Sequence, residues 1–161
     1  MLQESDADSL SLRELARRVG VSAPSVYRHF PDKQALMTAL AEEGLRQLAA
    51  AQHIAADAAG GGKQGFAATG RAYVRFALAN PALYRLIFTS PLIAAYRANA
   101  GDRSEAFDFL LANVGAEIGA DPESPAARVG AIEAWALVHG LAMLMLDGQV
   151  PADESLIDAI C

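Results

Sequence analysis

Cysteine is almost absent from this 161-residue chain: the one thiol belongs to the terminal Cys161. No intrachain disulfide can form, so a packed core has to supply the stability, and a reducing compartment is the expectation. β-Branched residues are scarce as well. Val, Ile and Thr together occur 18 times against 35 alanines. That balance disfavours sheet, because alanine loses no rotamer freedom in a helix while branched side chains suit pleated strands. The expected fold class is all-α. Long hydrophobic runs are missing too: the longest uncharged apolar stretch, residues 134–146, is shorter than the roughly 20 residues that cross a bilayer. The opening MLQESDADS is acidic and lacks the basic-then-apolar order of a secretory leader. These absences point to a soluble, cytoplasmic protein with no membrane partner.

The signatures of catalysis are also lacking. His29, His53 and His139 lie far apart, with neither a His-x-x-x-His spacing nor a second cysteine to hold a metal. Gly60-Gly61-Gly62-Lys63 resembles a phosphate loop, but Gln64 stands where a magnesium-binding Ser or Thr is needed, and no strand precedes it. There is no G-x-S-x-G elbow. Neither an enzyme activity nor a metal nor a cofactor is expected.

What the chain has is charge asymmetry. Its net charge is −6, yet residues 10–36 carry Arg13, Arg17, Arg18, Arg28 and Lys33 against Glu14 and Asp32, a local balance of +3. A basic segment on an acidic body suits a protein that touches nucleic acid through one module.

The same segment holds legible helix signals. Ser11 with Glu14 reads as a capping box, and Leu10 with Leu15 as the hydrophobic staple around it. Leu12, Leu15, Ala16 and Val19 recur at helical spacing, so a short helix is expected over 12–19, ended by Gly20 in the left-handed conformation. Ser22 caps a second helix, with Pro24 in its first turn and Pro31 beyond its end. Asp32 caps a third helix running from Lys33 towards Asp57. Further helices are expected from about Gly65 to Asn80, from Pro81 to about Phe88, over roughly 102–119, and up to about Leu146. A segment opened by Pro91 and a last short helix over Glu154–Ile160 complete the reading.

Two short helices joined by a Gly-Val-Ser turn have the spacing of a helix-turn-helix. The small Ala16 sits at the crossing, and Leu15 and Val26 lock the angle. Outward candidates on the second helix are Ser22, Ser25, Arg28 and His29, with Tyr27 at the edge. The residues by themselves also allow an ordinary helical corner that docks a protein partner.

Ser11-Leu12-Arg13-Glu14-Leu15-Ala16-Arg17-Arg18-Val19-Gly20-Val21-Ser22, then Tyr27-Arg28-His29-Phe30-Pro31-Asp32-Lys33 and Leu36, resemble the DNA-binding headpiece of TetR-family transcriptional regulators. Tyr73-Val74, Asn80-Pro81-Ala82-Leu83-Tyr84 and Trp135-Ala136-Leu137-Val138-His139-Gly140 resemble its subgroup with a Trp-x-x-x-His-Gly ligand-binding domain. The resemblance covers about residues 10–150. It implies a headpiece over 1–36 and a helical ligand-binding and dimerisation domain over 37–161. Family members carry a helix before the helix-turn-helix. Only nine mostly polar residues precede Leu10 here, so that first helix is expected to be missing.

The resemblance implies that Ser11, Tyr27 and Lys33 hold the backbone of a double-stranded DNA operator. Lys33 also lies at a helix N-terminus, whose dipole attracts phosphate. It further implies a homodimer and a repressor released by an effector. The apolar positions Phe76, Tyr84, Phe88, Phe107, Trp135 and Met143 are the candidate lining of a site for a small hydrophobic or aromatic ligand. His139, one helical turn from Trp135, joins them as a polar group that could orient the ligand. Taken singly, each of these side chains also suits plain core, and a histidine bonded to a backbone carbonyl is the simplest account of His139.

Overall fold

A computed structural model describes residues 11–90 and 105–161. Eight helices occupy them: α1 (Leu12–Val19), α2 (Ala23–His29), α3 (Lys33–Ala58), α4 (Gly62–Ala79), α5 (Pro81–Thr89), α6 (Glu105–Ile118), α7 (Pro125–Leu146) and α8 (Glu154–Ile160). No strand occurs among the described residues, and the chain is all-α. The stretch before Ser11, where the family's first helix is expected to be missing, the staple residue Leu10, the segment opened by Pro91 and the start expected for α6 near 102 all lie outside the described residues.

Local chemistry accounts for most helix ends. Ser11 accepts the Glu14 N–H at 3.2 Å, one half of the capping box. The Glu14 carboxylate turns forward to Arg17 and Arg18. Gly20 has φ 75° and ψ 23°. Its N–H reaches the Arg17 carbonyl while the Val21 N–H reaches that of Ala16, the paired bonds of a Schellman stop. Asn80 closes α4 with both its backbone N–H and its side-chain amide on the Phe76 carbonyl, and Pro81 then begins α5 where a missing N–H is harmless. One boundary differs from expectation. Gly60, Gly61 and Gly62 all have positive φ, so the chain reverses within three residues. The Gly65 N–H then bonds the Gly61 carbonyl at 2.9 Å, and α4 starts at Gly62 rather than near Gly65.

The described residues fall into two compact units. Residues 11–43 and 82–90 form one, the remainder the other, and the division passes within α3. In the first unit, henceforth the headpiece unit, α1 packs on α2. Leu12 and Ala16 are buried, as are Tyr84 and Ile87 of α5. In the second unit, the body, α4 and α6 both pack on α7, and α8 packs on α4. Small side chains let these backbones approach: Ala77, Ala127, Ala131 and Ala142 are completely buried beside Val74. A Cβ added to Gly130 would stand 2.9 Å from the Val114 side chain. Beside this seam Leu111, Val114 and Ala131 pack with Phe66, Phe107 and Leu110. Ile157 anchors α8, and Arg75 straps it to α4 through Glu154 at 2.7 Å and Asp158 at 3.3 Å.

By length and composition α7 is apolar enough to cross a membrane. Within the body one of its faces is packed, through Ala127, Ala131, Leu141, Ala142 and Met145, and exposed Arg128 and Glu133 interrupt the other. Val129, Ile132, Leu137 and Leu144 remain exposed on it.

Candidate nucleic-acid interface and effector site

The second helix of the helix-turn-helix buries none of its side chains. Physically that is unusual for a seven-residue helix, which needs tertiary contacts to persist. Besides the packing of α1 on it, its backbone is held by Ser22, whose hydroxyl accepts the Ser25 N–H at 3.3 Å, and by the Phe30 N–H on the Val26 carbonyl at 2.9 Å. Ser11, Ser22, Tyr27, Arg28 and His29 are exposed, while Ser25 and Lys33 are half-buried. The polar candidates therefore share a short, accessible stretch, with Tyr27 42% exposed despite its aromatic ring. Lys33 opens α3, beside the Asp32 carboxylate that accepts the Ala35 N–H at 2.8 Å. On α1, hydrogen bonds from Arg17 and then Arg18 lower the Glu14 carboxyl to about 2. The headpiece thus keeps this ionic ladder at neutral pH.

Three of the effector candidates meet in the body. The Phe107 and Trp135 rings lie 6.0 Å apart, and the Trp135 and His139 rings 5.9 Å apart in an edge-on arrangement. Tyr73, absent from the expected set, ties them together. Its phenol oxygen accepts the Trp135 indole N–H at 3.1 Å and lies 2.9 Å from Nδ1 of His139. The simple account of His139 as carbonyl-bonded gives way at Nδ1 to a phenol partner. Burial pushes the His139 imidazole below its ordinary pKa, favouring the neutral form. Tyr73 was discoverable from the requirement that a buried indole N–H find an acceptor, but no spacing rule links positions 73 and 135.

Phe76 is buried on α4, and Met143 is half-buried on α7. Tyr84 and Phe88 belong to the headpiece unit, where their ring centroids lie 4.9 Å apart with the planes tilted by 52°. Lys63, the phosphate-loop lookalike, pairs with Glu117 of α6 at 2.9 Å.

Residues 66–160 match the family described as tetracyclin repressor-like, C-terminal domain, and residues 1–40 match the bacterial regulatory proteins of the tetR family. Tetracycline repressor protein class A from transposon 1721 of Escherichia coli is 47% identical over 47 residues, which are 29% of this chain and 22% of that repressor. Class G of Vibrio anguillarum matches to the same extent. The matched stretch thus spans about a fifth of the curated relatives' length. Similarity to solved structures extends further. A protein of unknown function from Rhodococcus sp. RHA1 is 32% identical with a TM-score of 0.72, over 98% of this chain and 81% of that one. The crystal structure of a candidate regulatory protein is 26% identical with a TM-score of 0.71, over 97% and 84% of the two chains. With more than half its length matched by one family domain and its N-terminal segment by the other, the chain belongs to the TetR family of bacterial regulatory proteins.

Proposed function

We propose that the protein is a cytoplasmic, homodimeric, DNA-binding transcriptional repressor released from its operator by a small hydrophobic or aromatic effector. In this reading residues 1–36 bind DNA, and residues 37–161 bind the effector and the second subunit. The observation that carries it is α2. A helix with no buried side chain, capped at its start and following a Schellman turn, is built to present its face to something else. Ser22, Ser25, Tyr27, Arg28 and His29 face the groove, while Ser11, Tyr27 and Lys33 hold phosphates. The exposed row Val129, Ile132, Leu137 and Leu144 on α7 supports a twofold interface, since a second copy would cover it. Two headpieces then read half-sites about one DNA turn apart.

The effector site is centred on Phe107, Trp135 and His139 of the body, with Phe76 and Met143 of the same unit in supporting positions. Induction requires the effector to prefer the arrangement that DNA does not, and the shift is limited by that difference in binding free energy.

A mobility-shift titration on the upstream region of its own operon tests the reading. Replacing Lys33 with Ala should weaken binding to all sequences alike and reduce the salt slope by about one unit. Unchanged affinity and slope would remove Lys33 from the interface, and no shift at all would overturn the regulator. Sedimentation at micromolar concentration should give twice 16.9 kDa.

A further inference from the structure

Among the described residues one buried side-chain polar atom lacks a hydrogen-bond partner: Oε1 of Gln52. Gln52 lies on α3 within the body, 7% exposed. Its Nε2 donates to the Thr69 carbonyl of α4 at 3.5 Å, the long limit of such a bond. That contact fixes which way round the amide sits, because turning it over would set two carbonyl oxygens against each other. Thr69 cannot supply the missing donor, since its hydroxyl is committed to the Phe66 carbonyl at 2.6 Å. An amide carbonyl is a strong acceptor, and leaving one dry and unpaired is costly enough that folded proteins rarely do it.

The position of this acceptor is informative. The α3–α4 seam is antiparallel: a Cβ on Gly65 would lie 3.2 Å from the Ala56 carbonyl, and Gln52 meets Thr69. Gln52 belongs to the same unit as the phenol that joins Trp135 and His139. Its immediate surroundings on α3 are the buried Leu48, Ala49 and Ala56. The neighbouring His53 ring lies 3.8 Å, centroid to centroid, from Phe109 of α6, with the planes tilted by 40°. An isolated acceptor in aliphatic and aromatic surroundings suits a ligand that is mostly apolar and carries one donor.

We propose that Oε1 of Gln52 accepts a hydrogen bond from the effector, so that the effector is an apolar molecule bearing a hydroxyl or N–H group. The assignment rests on the body being the effector site. It selects among hydrophobic compounds: a donor-bearing ligand completes the amide, whereas one of the same shape without a donor leaves the acceptor dry.

Para-tert-butylphenol and para-tert-butyltoluene form a shape-matched pair that differs in the donor. Their affinities are to be measured by Trp135 fluorescence and by ligand-induced melting shifts, on the wild-type protein and on Gln52→Met. The ratio of phenol to toluene affinity should fall about tenfold in Gln52→Met, the size expected of one buried hydrogen bond. The ligand-free variant should melt about 2–4 °C higher, because its unpaired acceptor is gone. An unchanged ratio, with both compounds bound, overturns the role of Gln52 and leaves the effector site standing. A lower melting point with an unchanged ratio means that the amide is structural and completed by water. Binding of neither compound to the wild type at saturating concentration overturns the effector site and this assignment together. Gln52→Leu provides the same readout if the methionine variant does not fold.

Discussion

In the headpiece unit α1 and α2 span eight and seven residues and bury only Leu12 and Ala16 between them. In the body α4 and α7 span 18 and 22 residues and bury Val74, Ala77, Ala127, Ala131 and Ala142 completely. A surface that must meet a partner cannot also be buried in the core. The helix-turn-helix accordingly depends on what adjacent residues do to one another: caps, a left-handed glycine, an acidic residue clasped by two arginines. The body depends on helices distant in sequence fitting together. Substitutions should therefore act through different physics in the two regions.

The largest expected effect is in the body. Ile157→Ala removes the one buried side chain of α8 and should cost about 2–5 kcal/mol in urea unfolding, as transfer and cavity terms add. A loss below about 1 kcal/mol would mean that the Arg75 ion pairs rather than apolar packing hold α8, and the contrast would weaken. Next comes Gly115→Ala. Its Cβ would lie 2.9 Å from the Ala120 carbonyl and 3.1 Å from Pro122, both backbone contacts that cannot rotate away. A cost of about 1–3 kcal/mol is expected, measurable as a lowered melting point.

The headpiece counterpart is smaller. Ser22→Ala removes the side-chain acceptor of the Ser25 N–H, leaving the Ser22 carbonyl at 3.0 Å, and should cost about 1 kcal/mol of helix stability. Because α2 has no buried side chain to compensate, the loss should appear as faster amide exchange over 23–29 with the body's protection unchanged. Spread of the effect into α4 or α7 would break the separation drawn here.

The smallest effect expected is a difference in pH response. Burial lowers the pKa of His139, so on acidification the unfolded chain takes up that proton before the folded one does. Body stability is complete above the unfolded value of about 6.5 and declines as pH falls through it. Glu14 behaves differently: held at about 2, it contributes fully above the ordinary carboxylate value of 4.5 and loses that contribution progressively as pH falls from 4.5 to about 2. As pH falls below 6.5, amide resonances around Tyr73 and Trp135 should move before those of α1, and His139→Gln should flatten the body's response. Movement confined to α1 would reverse the assignment.

Much of the helix-turn-helix was legible in the sequence because its determinants are neighbours. Ser11, Gly20, Ser22 and Pro31 act within four residues of themselves, and α1 spans the expected Leu12–Val19. The start and end of α7 follow from Ser124-Pro125 and Asp147-Gly148 in the same way. Periodicity placed Trp135 and His139 on one face of α7, since one helical turn separates them. It could not bring Phe107 to Trp135 or choose Tyr73 as their shared partner across 62 and 66 residues, nor could it leave the carbonyl of Gln52 unpaired against α4. Such contacts follow from the register in which helices pack, and Gly65, Gly130 and the buried alanines set that register by letting backbones approach. Helix ends are decided by bonds within a turn or two, which sequence specifies directly. The site is decided by which side chains close packing leaves facing one another, and only the tertiary structure does that.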